Sequence, residues 1–395
     1  MVREFAKDQC DQFAFRLTRT HQALTDGTAG VPEPQHAEQA PAPKKVVYLW
    51  GAGATQAEVS YLGAANINIL MRDYDELGVG VATRILGKLP AKWHPATPDE
   101  GMDIEKLISL LAGSGVDEYS KLAERIRELY FEDIRDRLTE AKVLTNPQLA
   151  IALLNLHQNQ ELNKHELLSG IITTNHDGLL QVAAQRVHGA VNIGVPFESL
   201  DLKFNLNGIV PLLHLHGSFT WLFGLPLRVS SLHQGSAYSP KTTWIPPTIL
   251  KESKNYPFNK LSGLAYELLS KHCDVLRVVG SSLTQNDWNV LSMIFNAQRH
   301  MEFTNAPAFK VELIMSHRGG IGISGSCSYL KNLTPIGYLT DGEFADYKED
   351  KPLTIDMKNP LYYWLKQKIQ FHQRRGELGG DQLDTSLAKI AGDTP

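Results

Sequence analysis

The sequence predicts an α/β protein: a doubly wound, Rossmann-like parallel sheet carrying a helical insertion. Three observations predict it. Short, uniformly apolar runs recur along the chain, segments of helical period separate them, and the first run breaks off in Gly51-Ala52-Gly53. Buried parallel strands read as such runs, and the turn from first strand to first helix is where these sheets gather a ligand.

The elements follow in order. Residues 1–45 are expected to be an N-terminal extension. It has a short helical start, then a stretch from Thr25 to Lys45 rich in Pro, Ala, Gly and Gln that reads as a flexible lead-in. The domain proper is expected over 46–373 and opens with the strand Val46-Val47-Tyr48-Leu49-Trp50. A helical insertion is expected over about 75–165, because Leu122, Ile126, Leu129 and Tyr130 recur at spacings of three and four with charges between them, and Leu149, Leu153 and Leu154 repeat the pattern. Strands are then expected at Ile171–Thr174, Val191–Ile193, Leu212–His216, Val275–Val279 and Val311–Met315. Pro226, Pro240, Pro246, Pro247 and Pro257 mark residues 218–260 as mostly loop. Helices are expected at 261–272, 287–300 and 360–371, and the Gly- and Asp-rich stretch 374–395 as a flexible tail.

Composition excludes several classes of function. With 39 Lys and Arg against 43 Asp and Glu, the formal charge is −4, so direct nucleic-acid binding is not expected to be the main task. No apolar run approaches the roughly 18 residues of a membrane span, and the charged start Met1–Gln12 is unlike a signal peptide. Cys10, Cys273 and Cys327 are too few and too scattered for a disulfide framework, and no CxxC pair seeds a zinc site. A reducing cytoplasm is the expected compartment.

Four constellations carry chemistry. Gly51-Ala52-Gly53 offers backbone N–H groups and a helix N-terminus to a phosphate. The third glycine of GxGxxG would fall at Gln56, however, and a tight turn explains the two that are present equally well. Thr173-Thr174-Asn175-His176-Asp177-Gly178 follows a strand directly, so its polar side chains either face the ligand crevice or cap the next helix. In Leu213-His214-Leu215-His216-Gly217 the two imidazoles share a strand face, as a metal pair, a catalytic acid or base, or core residues. Gly280-Ser281-Ser282-Leu283 supplies small donors at another strand end, before a helix beginning near Asp287.

Taken together and in this order, the GAG, TxNxD, HG and GxSL elements resemble the sirtuin superfamily over about Val46 to Ser316. The Ile245-Pro246-Pro247-Thr248 run and the Asp287 after GxSL look most like the sirtuin-like domains of bacterial antiphage defence systems, which degrade NAD. The resemblance implies that Gly51, Ala52, Gly53 and Thr55 hold the pyrophosphate and adjacent ribose. It implies that Thr174, Gly280, Ser281 and Ser282 bind the rest of the nucleotide, that Asn175 and Asp177 surround the nicotinamide ribose and carboxamide, and that His216 is the catalytic base. NAD+ is then the substrate, and hydrolysis of its nicotinamide–ribose bond the expected reaction. NAD-dependent protein deacylation, or a non-catalytic module binding NAD or ADP-ribose, are the alternatives.

The chain also departs from that family. The GIPDFR-like segment is absent, His176 stands where an apolar residue is usual, and no cysteine follows Gly217 until Cys273, so no zinc ribbon and no zinc are expected. Unchecked NAD hydrolysis would poison the cell that makes the enzyme. The resemblance therefore implies control by homo-oligomerisation or by a partner. Too few residues follow Ser316 for an appended Argonaute-associated domain, so a HerA-type ATPase is the expected partner.

Overall fold

The computed structural model describes residues 42–71, 73, 77–93, 104–158, 165–199, 209–230, 232, 236–248, 251, 254–281, 283, 285–314, 359–374 and 385–392. Residues 1–41 of the expected N-terminal extension lie outside them, as do Ser282 and Met315, while Lys44 and Lys45 already belong to the first strand. The described residues show the α/β architecture that the apolar runs predict. A five-stranded parallel sheet is formed by β1 (Lys44–Trp50), β2 (Glu166–Thr173), β4 (Leu212–His214), β8 (Val275–Val279) and β9 (Lys310–Ile314), in the order β4-β2-β1-β8-β9. The strand order reverses between β1 and β8, the switch point at which such sheets open a crevice.

Helices cover both faces, as a doubly wound sheet requires. Tyr48 of β1 meets His157 of α5 (Gln148–Gln158) and Trp364 of α9 (Pro360–Arg374) on one face. Gly170, near the neighbouring position on the opposite face, lies so close beneath α7 (Phe258–Lys271) that an added Cβ would stand 2.4 Å from Leu268 Cδ2. Strand side chains alternate in direction, so the two contacts belong to opposite sides. Val46 to Trp50 are all buried, which is why this strand carries no polar alternation. Buried on it is Arg277 of β8, 1% exposed, with its charge met by Glu166 at 2.6 Å and Glu312 at 2.7 Å and a bond to the Tyr48 hydroxyl at 3.1 Å.

Between β1 and β2 run α1 (Ala52–Tyr61), α2 (Val81–Gly87), α3 (Ile104–Gly113), α4 (Asp117–Glu140) and α5, the last four lying within residues 75–165. Glu58 of α1 clasps this region to the core: its buried carboxylate accepts the N–H groups of Leu149 and Ala150 at 2.9–3.1 Å, at the exposed dipole end of α5. Burial nonetheless pushes its pKa up to about 7.

The described part of residues 218–260 is mostly loop, as expected, and within it β5 (Gly217–Leu222), β6 (Leu227–Val229) and β7 (Thr242–Trp244) join β3 (Phe197–Ser199) in a second, four-stranded sheet. Pro226 directly precedes β6, where no ladder N–H is needed. Two expectations are corrected. Val191–Ile193 makes only a bridge from Asn192 to Pro211, since the Asn192 side chain binds the Gly194 N–H and the Ile209 carbonyl and turns the chain away. In the expected flexible tail, α10 (Thr385–Gly392) buries Leu387 and Ile390. After β2 and β7 come α6 (Leu179–His188) and α7, and α8 (Trp288–Phe303) follows β8.

Candidate active site

Strand register brings the four motifs to one edge. Trp50 pairs with Thr173 on one side and Val279 on the other, and Thr173 pairs with His214. Gly51, Thr174, Leu215 and Gly280 therefore all lie one step past the same level, at the carboxyl ends of four parallel strands.

At the switch point the two glycine turns touch. A Cβ on Gly51 would fall 2.5 Å from Ser281 Cβ, and one on Gly53 would fall 2.8 Å from the Gly280 oxygen. Gly280 adopts φ +58°, and its own Cβ would lie 2.1 Å from the Ala54 nitrogen. The Gly53 N–H donates to the Gly280 carbonyl at 2.8 Å and Gly51 N–H to Val279 at 2.9 Å. These glycines thus serve close chain-to-chain approach. Ala52 is the exposed residue of the turn.

Asn175 and Asp177 meet through a residue from the first turn of α1. The Thr55 hydroxyl donates to Asp177 Oδ2 at 3.0 Å and accepts from Asn175 Nδ2 at 3.0 Å. Thr55 is fully buried, so it is a strut between two site residues rather than a group reaching for pyrophosphate, which corrects the expectation for it. Asp177 Oδ1 also accepts the Leu179 N–H at 3.1 Å, one of the free donors at the start of the helix that begins at Leu179. Burial raises the Asp177 pKa, with the bonds from Leu179, Thr55 and Asn175 pulling it back. Thr174 extends the β2 edge, its N–H directed to the Trp50 carbonyl at 3.4 Å.

Three imidazoles stand beside this group, each tied to a main-chain carbonyl. His176 donates from Nε2 to Ile245 at 2.8 Å, His214 from Nδ1 to Asn175 at 3.3 Å, and His216 binds the Thr174 carbonyl. A carbonyl oxygen can only accept, so the bonded nitrogen carries the hydrogen. His176 Nδ1 is then the bare nitrogen and faces the Tyr130 hydroxyl at 3.4 Å. Burial holds all three pKa values below the ordinary imidazole range, that of His214 at about 4. The rings of His176 and His216 are 6.2 Å apart, and Tyr130, Phe219 and Trp244 wall in His176.

His216 also lines a cleft of about 380 Å³ between α7 and α8, together with Ile245, Lys251, Tyr266 and Trp288. Lys251, 6% exposed, pairs with Asp287 at 2.7 Å and with Glu105 of α3 at 3.5 Å. The pairing of Lys251 with Asp287 and Glu105, and the approach of Tyr130 to His176, escape sequence reasoning, because these residues come from distant segments with no spacing to relate them. Among the described residues no group of three or more His, Cys, Asp or Glu is arranged to hold a metal ion, and no helix is long and apolar enough to cross a membrane.

The arrangement can orient a polar ligand with an amide and a carboxylate, and can accept a proton at a neutral imidazole. Asn175, Asp177 and Thr55 are brought together directly; His216 joins them through the adjoining Thr174 carbonyl and His176. Gly51, Gly53, Gly280 and Ser281 form the neighbouring turn pair. The chain matches no protein-family model and no curated protein.

Proposed function

We propose that the protein is an NAD+ glycohydrolase that cleaves the nicotinamide–ribose bond to give ADP-ribose and nicotinamide. The observation that carries this reading is that the Asn175–Thr55–Asp177 group and His216, an imidazole disfavoured from protonation by burial, follow adjoining strands at the carboxyl edge of one parallel sheet, beside its switch point. The sirtuin-like order of the four motifs supports it. In this reading the dinucleotide lies over the turns Gly51–Gly53 and Gly280–Ser281, with its pyrophosphate toward exposed Ala52. Asn175 orients the ribose or the attacking water, and Asp177 anchors the carboxamide. Water attacks the anomeric carbon as the glycosidic bond breaks, nicotinamide leaves neutral, and His216 takes the proton from water.

Positive charge grows on the sugar in such a transition state. By the same resemblance the setting is antiphage defence, with a homo-oligomer or a HerA-type ATPase restraining the activity.

The test is chromatography of NAD+ incubated with the purified full chain, alone and with the candidate ATPase. ADP-ribose and nicotinamide are the expected products. Positioned proton transfer contributes roughly 10²–10⁴-fold, so His216→Ala should retain about that small fraction of the rate while remaining folded. Product formation only with an acylated peptide would establish deacylation instead, and tight NAD+ binding without turnover would establish a binding module.

A further inference from the structure

We propose that Lys251 is a positioning residue for His216: anchored by Asp287 and Glu105, it fixes the segment after β7 as one wall of the imidazole's cleft and holds a positive charge beside the ring. The inference rests on the reading of His216 as proton acceptor.

The geometry is unusual for a lysine. Its side chain is 6% exposed and its ammonium is held by carboxylates from two further elements, α3 and the turn before α8. Its own carbonyl accepts Asn289 Nδ2 at 2.6 Å, and Asn286 donates to Glu105, so both partners of the clasp are themselves tied down. The same segment supplies the Ile245 carbonyl that fixes His176, and the Ile245 N–H donates to the His216 carbonyl at 2.8 Å. Lys251 and His216 line one cleft.

The charged and titratable groups around the ring are few. His176 faces it from the segment after β2, with Tyr130 of α4 and Asp177 beyond. His214 precedes it on its own segment, Tyr266 of α7 shares the cleft, and Lys251 brings Glu105 and Asp287 with it. A cation near an imidazole makes protonation of the ring harder. Lys251 acts in that sense on both His216 and His176. A ring kept neutral remains a base under mildly acidic conditions.

A purely mechanical clasp would leave the ring's titration alone, and this separates the two roles. The experiment follows the His216 ring by NMR titration in the full chain, for the unmodified protein, Lys251→Met and Lys251→Arg. Loss of the charge should raise the His216 pKa, whereas Lys251→Arg should leave it in place. The acid limb of NAD+ loss should move upward with it. Should Lys251→Met fail to fold, Lys251→Gln keeps a polar contact to Asp287 without the charge and carries the same expectation. An unmoved His216 titration in a folded, uncharged variant overturns the proposal. If the unmodified protein consumes no NAD+, the functional reading fails, and the titration alone decides the role of Lys251.

Discussion

Replacing Thr55 by valine removes one hydroxyl and keeps the branched shape, so it isolates the strut between Asn175 and Asp177. Thr55 Oγ1 serves Asp177 and Asn175 at 3.0 Å each and stands 3.5 Å from Trp50 Nε1. Asp177 keeps the Leu179 N–H and its bond from Asn175, but it loses the Thr55 hydroxyl in a site where both residues are at most 8% exposed. Leaving a buried polar group short of a partner costs about 1–3 kcal/mol, and that is the expected loss. Thr55→Ser keeps the hydroxyl and loses one methyl, worth roughly 0.8 kcal/mol. Urea unfolding followed by circular dichroism, with all three proteins fitted to a common slope, measures the difference. If valine and serine variants agree within about 0.5 kcal/mol, the hydroxyl is not bridging the two site residues.

Three further outcomes are expected. Gly280→Ala places a Cβ 2.1 Å from the Ala54 nitrogen at φ +58°; the left-handed backbone alone costs roughly 1–2 kcal/mol, and thermal unfolding should show a loss well beyond that. Arg277→Met leaves Glu166 and Glu312 without their buried cation, and about 3–5 kcal/mol should go; a neutral or stabilising result by urea titration would contradict the pairing. Stability should also fall on acidification below pH 6.5, because His176 and His216 are depressed, His157 to about 3 and His214 to about 4, and the unfolded chain binds these protons first. His214 alone accounts for about 3 kcal/mol by pH 4. Glu58 and Asp177, with raised pKa values, work the other way, but they are two carboxyls against four imidazoles. A melting temperature that holds or rises from pH 7 to pH 5 would show that the rings are not buried neutral.

The main sheet is legible in the chain because buried parallel strands are apolar throughout and stop where they meet the crevice. Val46–Trp50 shows both signs, and Val275–Val279 does so apart from the charge-paired Arg277. The second sheet is not legible, since β6 and β7 span three residues each, too short for alternation to register, and their flanking prolines resemble loop punctuation. Gly51 and Gly53 mark a turn, but residue type cannot say whether a ligand or another stretch of chain comes close to it, and Gly280 carries the same ambiguity. Thr55 is misread for a related reason: a hydroxyl in the first turn of a helix suits a phosphate and an internal strut alike. Lys251, Glu105 and Asp287 are joined only by tertiary folding, so no local pattern announces them. The tail helix is hidden because Leu387 and Ile390 give only one helical spacing of three in a short segment flanked by Gly and Asp.

The three tethered imidazoles have a consequence for proton traffic. Each ring has committed one nitrogen to a main-chain oxygen, so exchange with bulk water must run through the other nitrogen. In His214 that atom is sealed in with no partner, and in His176 it looks onto a tyrosine. His216, bordering the cleft, is the ring of the three with an open door. In heavy water its labile hydrogen should turn over soonest, while the other two wait for the fold to breathe.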